Sequence, residues 1–353
     1  KVKSKKKGKK FADEVLSLLI IGLLVIILIV EIFTPYVIYL IAPGFSDDIF
    51  KFNLAIDYTR ITFPFLAFVS LASFFAGILN SENKFAAAAA APIFLNLILI
   101  FSLFVSYLMN LDFALNLSYG VSIAGLIQLI FLIIFSAKFY SPSLIIKNKI
   151  NKNVKFFLRK LLPSIFSSGV TQINILIGTI IASFQSGAVS YLYYADRVYQ
   201  INLAIAGIAV GTVSLPVLSK AFKTRNLNKI SDIQNKSFEL SLLFSIPASF
   251  GLILASEEIV NALFGYGSFT KNDVEMTAAA LKFFGYGVPA FALIKILSNF
   301  FFARNNTKTP FYISTLIVIL NIFISVSLFN RIGFIIIPIA TSISTWVGVL
   351  IYL

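Results

Sequence analysis

The sequence predicts an all-α, polytopic membrane protein with about ten transmembrane helices in two pseudo-repeated lobes. Hydrophobic residues make up 58% of the 353 residues and charged residues 12%, whereas a soluble domain usually carries about 25% charged residues. The mean hydropathy is +0.92. Apolar stretches of about 20 residues, the length of a helix that crosses the hydrocarbon core, recur along the chain. These observations place the chain in a bilayer.

Ten apolar stretches are long enough to be transmembrane helices, and short polar loops separate them. Six prolines inside these stretches are expected to break or bend helices because proline lacks a backbone donor, namely Pro64, Pro92, Pro163, Pro216, Pro247 and Pro289. The predicted spans are 15–41, 57–79, 86–109, 114–137, 156–184, 188–219, 237–263, 276–303, 310–329 and 333–353.

The distribution of charge supports this order of spans. If the segment before the first span is cytoplasmic, so are the loops around Lys84, 138–155, 220–236 and 304–308. These segments together hold most of the 29 Lys and Arg residues, as the positive-inside rule requires. The opposite loops carry acidic residues, namely Asp47, Asp48, Asp112, Asp273 and Glu275.

Composition excludes several classes of function. The chain has no Cys and no His, so thiol chemistry, the usual zinc sites and the common neutral-pH base are excluded, and no cofactor or metal is predicted. The net charge of +14 lies in loops without a stacking platform for bases, which argues against nucleic acid. Juxtamembrane lysines instead favour contact with anionic membrane lipids.

One constant offset within the chain brings identical residues into register. The pairs are Pro64 and Pro289, Ser73 and Ser298, Phe75 and Phe300, Asn80 and Asn305, and Asn96 and Asn321. The two copies lie six spans apart and therefore have the same orientation. This repeat predicts two six-helix lobes with a substrate site at their interface near the midplane.

The repeat also predicts the domain organisation. Residues 1–140 are expected to form a partial N-terminal lobe of about four helices, with two further helices before Lys1. Residues 141–155 form a basic cytoplasmic linker, and residues 156–353 form a C-terminal lobe of six helices. The chain is accordingly interpreted as a piece of a longer protein.

The adjacent residues Asp196 and Arg197 are the main functional candidates, because charges at membrane depth persist where they face a cavity or a partner. Arg197 lies near mid-bilayer, where its guanidinium would bind phosphate oxygens in a forked geometry. The alternative is a structural role between helices. Ser190 and Gln200 lie on or near the same helical face, either as donors to substrate oxygens or as interhelical hydrogen-bonding groups.

Asp196 points about 100° away from Arg197 and is not expected to neutralise it. Lys295 and Lys282 are its candidate partners on another helix, either in a lock or coupling site between lobes or in a structural bridge. Gly207 and Gly211 are four residues apart, a spacing that lets another helix approach closely.

Several motifs together resemble the lipid II flippases of bacterial peptidoglycan synthesis, the MurJ or MviN family, within the superfamily of multidrug and polysaccharide exporters. The resemblance runs from about residue 10 to the end of the chain. It rests on Ala42-Pro43-Gly44-Phe45, Thr62-Phe63-Pro64, Ile78-Leu79-Asn80, Tyr193-Tyr194-Ala195-Asp196-Arg197, Leu215-Pro216, Tyr266-Gly267-Ser268-Phe269-Thr270 and Lys308-Thr309-Pro310.

This resemblance implies a flippase that moves lipid II from the cytoplasmic to the periplasmic leaflet of the bacterial inner membrane by alternating access. Arg197 would contact the pyrophosphate. The chain would supply the third to twelfth helices of a fourteen-helix protein, without the first two, which carry three cavity arginines, and the last two, which form a lipid-tail groove. Such a protein is expected to act as a monomer, with cell-wall synthesis proteins as further partners, and not as an enzyme.

Other functions compete with this one. A flippase for another polyprenyl-linked glycan would use the same phosphate chemistry. A drug or cation antiporter of the same architecture would place acidic residues in its cavity, whereas the cavity candidate here is a cation. A membrane glycosyltransferase would need a carboxylate cluster that the sequence does not show, and a non-transporting scaffold would not need the cavity charge.

Overall fold

The computed structural model describes residues 2–143, 152–224 and 226–353, and these residues form a series of helices. Side chains are described from residue 7 onward, except at 144–153, 160–171 and 225. The first half contains α1 (Val2–Ile41), α2 (Ile49–Thr62), α3 (Phe65–Ser81), α4 (Phe85–Ala90), α5 (Ile93–Met109), α6 (Phe113–Ser136) and α7 (Lys152–Ala182). The second half contains α8 (Ala188–Leu203), α9 (Val210–Lys223), α10 (Leu227–Leu254), α11 (Ser256–Phe264), α12 (Lys271–Ala303), α13 (Lys308–Ile332) and α14 (Ile336–Tyr352). A π-turn (Ala204–Ala209) joins α8 to α9, and short 3₁₀ turns cover Pro43–Asp47 and Gly333–Ile335.

The multi-span prediction is confirmed. In the described part of the chain, eight helical stretches are long and apolar enough to cross a membrane. One of them, Lys308–Tyr352, contains both α13 and α14, and α7 adds a shorter apolar stretch at Gln172–Ala182. The chain is therefore a multi-pass membrane protein.

Two predicted spans are interrupted at prolines that were expected to break or bend them, whereas Pro216, Pro247 and Pro289 lie inside helices. Pro64 is the N-cap residue of α3 and Pro92 that of α5, so each span consists of two helices in series. The span predicted at 237–263 is wrong in its boundaries. Its helix begins ten residues earlier, at Leu227, and ends at Leu254, and a separate helix begins at Ser256.

The chain divides into two compact units. Unit 1 comprises 1–40 and 45–164, and unit 2 comprises 41–44 and 165–353. Of the linker predicted at 141–155, residues 144–151 lie outside the described residues, and α7 already begins at Lys152. The assignment of 1–140 and 156–353 as lobes stays a prediction.

In unit 1, α6 packs against α2, α3 and α5. Leu16, Phe75, Leu79 and Leu132 belong to a buried cluster near the basic end of α1. Beside it, the buried carboxylate of Asp13 accepts hydrogen bonds from the Tyr140 hydroxyl at 2.7 Å and the Ser143 amide at 3.0 Å. The residues that follow α6 are thus tied to the start of α1.

In unit 2, α12 is the central helix, and α8, α9, α10, α11 and α14 pack against it. A capping box between Thr270 and Asp273 begins this helix. It continues without a break through Pro289. The side chains of α8 are therefore arranged around a well-packed core.

Both units place small polar groups inside and apolar groups outside, as expected for helices in lipid, where association depends on close packing and hydrogen bonds. On α5, Ser102 and Ser106 are buried while Ile100 and Phe104 are exposed. On α10, the buried residues include a serine at every fourth position, namely Ser237, Ser241, Ser245 and Ser249.

Two helix ends near the predicted repeat share one backbone motif. Asn83 after α3 and Asn305 after α12 both have left-handed backbone, with φ of 58° and 59°. The amides that follow them, Lys84 and Asn306, donate to the carbonyls of Leu79 and Phe301. This is the same helix C-terminal motif in each case. Asn110 after α5 has the same left-handed backbone, and the Leu111 amide donates to the Ser106 carbonyl. This common motif does not test the repeat, whose register stays a prediction.

Candidate functional site

The candidate site is built on α8, which begins directly after a glycine in left-handed conformation. Gly187 has φ of 77°, a region that other residues rarely adopt. The Tyr191 ring fills the space beside it, since a Cβ on Gly187 would lie 2.6 Å from the ring carbon Cζ. Position 187 therefore requires glycine both for its backbone and for its neighbour.

One face of α8 is exposed and carries the predicted polar residues. Ser190, Tyr193, Arg197 and Gln200 are all exposed and follow one another at spacings of three or four residues, so they share one helical face. The Arg197 guanidinium carbon Cζ lies 4.7 Å from the centroid of the Tyr193 ring, which is a cation–π contact. The structure thus brings these residues together, while their role in binding stays a prediction.

On its other faces, α8 packs against the rest of unit 2 through the aromatic side chains of Tyr194 and Tyr199. Tyr194 packs against Phe264 and Phe269, with ring centroids 4.9 and 5.4 Å apart. Tyr199 packs against Phe284 and Phe291 of α12 at 4.6 and 5.3 Å. These contacts leave the Arg197 face free.

Asp196 has a different partner from the one expected. The Gln200 side-chain amide donates a hydrogen bond to the Asp196 carboxylate. Among the described residues, no salt bridge joins Asp196 to Lys282, Lys295 or Arg197, and both lysines are exposed on α12. The expected pairing is therefore not formed, because the carboxylate faces a cavity instead. One amide N–H of Gln200 is already used within the helix.

That cavity has a volume of about 200 Å³ and lies within unit 2. Asp196 is the charged residue in its lining, together with the polar residues Asn174, Thr179, Tyr199, Asn321 and Thr341. It is large and polar enough to hold water. In the described ranges, no group of three or more His, Cys, Asp or Glu residues is arranged to hold a metal ion.

The polar residues of the cavity are partly connected by hydrogen bonds. The Asn321 amide donates to the Thr341 hydroxyl at 2.8 Å, and that hydroxyl donates to the Ile337 carbonyl at 2.8 Å. The Asn174 Oδ1 atom is buried without a hydrogen-bond partner. Sequence reasoning missed these residues, although an amide inside an apolar span is a usable signal.

The close helix approach predicted at Gly207 and Gly211 is confirmed. A Cβ on Gly207 would lie 3.1 Å from the Ala292 Cα, and one on Gly211 would lie 2.6 Å from the Asn299 amide nitrogen. That amide donates to the Gly211 carbonyl at 3.0 Å. The backbone at Gly207 and Gly211, which follows Arg197 in the chain, is thus packed directly against α12.

The fold and the exposed cationic face define a multi-span membrane protein of the transporter class. A solved structure described as an inward-facing multidrug resistance MATE family transporter of the MOP superfamily matches with a TM-score of 0.80 at 15% identity, covering 99% of this chain and 80% of that chain. At this identity the likeness shows the fold. A structure of a lipid II flippase MurJ in an inward closed conformation matches with a TM-score of 0.87 at 27% identity, covering 98% of this chain and 72% of that chain.

The family model described as "Lipid II flippase MurJ" matches residues 1–353. A "Probable lipid II flippase MurJ" of Rickettsia prowazekii (strain Madrid E) is 40% identical over 97% of this chain and 68% of its own length. One of Rhizobium meliloti (strain 1021) is 39% identical over 98% of this chain and 65% of its own length. The chain belongs to the MurJ family of lipid II flippases. It spans about two thirds of the length of these relatives.

Proposed function

We propose that this chain is the substrate-contacting part of a lipid II flippase in the bacterial cytoplasmic membrane. It moves lipid II from the cytoplasmic to the periplasmic leaflet by alternating access of two lobes, 1–140 and 156–353, joined by 141–155. The observation that carries the proposal is the state of Arg197. Its guanidinium is exposed in the middle of a membrane helix, and no carboxylate among the described residues forms a salt bridge with it.

A free guanidinium at this depth is suited to an anion. An uncompensated charge in a bilayer is costly and is retained where it faces water or a ligand. Arginine stays charged at any working pH and binds phosphate oxygens through two parallel N–H donors. The Tyr193 ring covers one face of the Arg197 guanidinium. The N–H groups at the edge of the guanidinium stay available to a pyrophosphate.

Ser190 and Gln200 supply weaker contacts on the same face. Ser190 precedes Tyr193 by three residues, which is about one helical turn. From there its hydroxyl would donate to a phosphate or sugar oxygen of the substrate. Gln200 gives one N–H to Asp196 and keeps its other N–H and its carbonyl for the ligand. Asp196, Lys282 and Lys295 remain candidates for coupling charges, with Asp196 acting from the cavity.

No covalent bond is formed or broken in this function, so the protein transports and does not catalyse a reaction. The energetic task is to keep a charged headgroup hydrated or paired while the polyprenyl tail stays in lipid. The protein acts as a monomer whose ligand is lipid II. It works beside the cell-wall enzymes that use the transported precursor.

The rival functions make different demands on the exposed face. Another polyprenyl-linked glycan carries the same phosphate and would use Arg197 in the same way. A drug or cation antiporter would expose a carboxylate there, whereas Asp196 is turned toward the cavity and engaged with Gln200. The charge of the exposed face therefore favours an anionic substrate.

The test is a chimaera in which this chain replaces the matching two thirds of the Rickettsia relative. It is expressed in cells depleted of their lipid II flippase, and lipid II exposed at the outer surface is measured by labelling. Growth with restored surface lipid II is the expected result. Proper insertion without restored lipid II would overturn the substrate assignment, and a panel of other polyprenyl-linked glycans and cationic drugs would then identify the rival.

A further inference from the structure

One carboxylate joins the N-terminal ends of two helices in unit 2. The Asp273 Oδ2 atom accepts hydrogen bonds from the Thr270 amide at 2.8 Å and the Thr270 hydroxyl at 2.7 Å, which begin α12. Its Oδ1 atom accepts a hydrogen bond from the Tyr191 hydroxyl of α8 at 2.9 Å. The same side chain therefore caps one helix and ties the other to it.

Tyr191 is held in place from three sides. Its ring centroid lies 5.7 Å from that of Phe334, its ring edge fills the space beside Gly187, and its hydroxyl reaches Asp273. These contacts therefore restrain both the χ1 rotation of the ring and its position along the axis of α8. A movement of α8 relative to α12 has to break this hydrogen bond or carry Asp273 with it.

Tyr191 precedes Arg197 by six residues, which is about 9 Å along the helix. Six residues also correspond to a rotation of about 240°, so the tyrosine faces the core of unit 2 while the arginine faces outward. A hydrogen bond that fixes the core-facing side of α8 therefore also fixes the direction in which Arg197 points. Because α12 is the central helix of the unit, the hydrogen bond couples the orientation of Arg197 to this helix.

We propose that Tyr191 and Asp273 are positioning residues that set the depth and rotation of Arg197 for contact with the substrate. This inference rests on the proposed function, because Arg197 needs positioning only if it meets a ligand. The opposing interpretation is that the hydrogen bond only stabilises the N-terminal ends of α8 and α12. The two interpretations predict different behaviour for substitutions on either side of Asp273.

Two substitutions separate the roles of the carboxylate. Tyr191→Phe removes the bond between the helices but keeps the ring on Phe334 and leaves the cap of α12 intact. Thr270→Val removes the hydroxyl from the cap but leaves the bond between Tyr191 and Asp273. Asp273→Asn does not separate the two roles, because its oxygen can accept from Thr270 while its NH2 group donates to the Tyr191 hydroxyl.

The reporter for helix rotation is a single introduced cysteine, since this chain has none. Ile201 is 61% exposed and lies one turn after Arg197 on nearly the same face. In the chimaera with cysteine-free flanking segments, Ile201→Cys is labelled with a water-soluble maleimide, and the labelling rate is compared across the variants. Loss of one hydrogen bond shifts the balance between the held and the released orientations of α8 about fivefold, and the labelling rate of Tyr191→Phe is expected to change by at most this factor.

The expected result is that Tyr191→Phe slows lipid II transport and changes the labelling rate, while its melting temperature stays close to that of the parent. Thr270→Val is expected to lower the melting temperature and leave transport and labelling unchanged. The proposal is overturned if Tyr191→Phe transports and is labelled like the parent, or if both variants act only on the melting temperature. If the parent does not transport lipid II but Tyr191→Phe still changes labelling, the proposed function fails and the positioning of the helix stands.

Discussion

Arg197 lies over the ring of Tyr193, with its guanidinium carbon 4.7 Å from the ring centroid and both side chains exposed on α8. A cation over an aromatic face is attracted by the ring, and this contact does not neutralise its charge as a salt bridge with a carboxylate would. The arrangement keeps the arginine oriented and still available to an anion. Several predictions about the site depend on this pair.

Replacement of Tyr193 by leucine is expected to weaken substrate binding without abolishing transport. An exposed cation–π contact contributes about 0.5–1 kcal/mol, which corresponds to a rise of about two- to fivefold in the apparent KM. The measurement is transport by the chimaera as a function of lipid II concentration in vesicles. Tyr193→Phe is the matched control because it keeps the ring and should behave like the parent. A loss as large in phenylalanine as in leucine would show that the hydroxyl, and not the ring, matters.

Replacement of Gly207 by leucine is expected to destabilise unit 2. A Cβ at this position already lies 3.1 Å from the Ala292 Cα, so a larger side chain forces α12 and the π-turn apart at a cost of about 1–3 kcal/mol. Thermal unfolding of the purified protein in detergent measures this. Gly22→Leu is the control, because a Cβ there meets no atom within 4 Å. Equal melting temperatures for the two variants would contradict the close approach.

Replacement of Tyr140 by phenylalanine is expected to destabilise unit 1 by about 0.5–1.5 kcal/mol, because the buried Asp13 loses one of its two donors. Asp13→Ala should cost more, since it leaves the Tyr140 hydroxyl and the Ser143 amide without their acceptor. Thermal unfolding at neutral pH measures both. Asp13→Asn is the control that keeps an acceptor oxygen, and it should lie closest to the parent.

The same tyrosine predicts a dependence on alkaline pH. Burial raises the pKa of Tyr140 above its ordinary value of 10.0, and the hydrogen bond to Asp13 and the charge of that residue raise it further. A raised pKa in the folded state gives stability that is complete below pH 10 and is lost as the pH rises above it. The difference in melting temperature between parent and Tyr140→Phe should therefore shrink above pH 10. A difference that is constant up to pH 11 would contradict this.

The all-α, multi-span architecture could be predicted from sequence because most apolar stretches have the length of a membrane span. The count of about ten spans agrees only approximately with the eight membrane-length stretches of the described residues. Pro64 and Pro92 also marked real helix ends. The break at Ala255 was missed, although Glu257 and Glu258 directly after it are unusual inside a span. The internal repeat stays a prediction, because the left-handed turn found at Asn83 and Asn305 is also found at Asn110.

The candidate site was predictable only in part. A single helix fixes which residues share a face, so the grouping of Ser190, Arg197 and Gln200 followed from spacing. The partner of Asp196 was missed because a lysine was expected, whereas Gln200 lies four residues away on the same helix. The cavity that Asp196 faces could not be predicted, since it depends on how α7, α12, α13 and α14 are rotated against α8.

The proposed function depends on the Arg197 guanidinium binding the phosphate of a lipid-linked substrate. The most direct measurement is growth and surface lipid II in flippase-depleted cells that carry the chimaera with Arg197, Arg197→Lys or Arg197→Ala at equal expression. We expect full rescue by the parent, partial rescue by lysine, which keeps the charge but not the forked geometry, and no rescue by alanine. Full rescue by alanine would contradict this expectation and assign Arg197 a structural role.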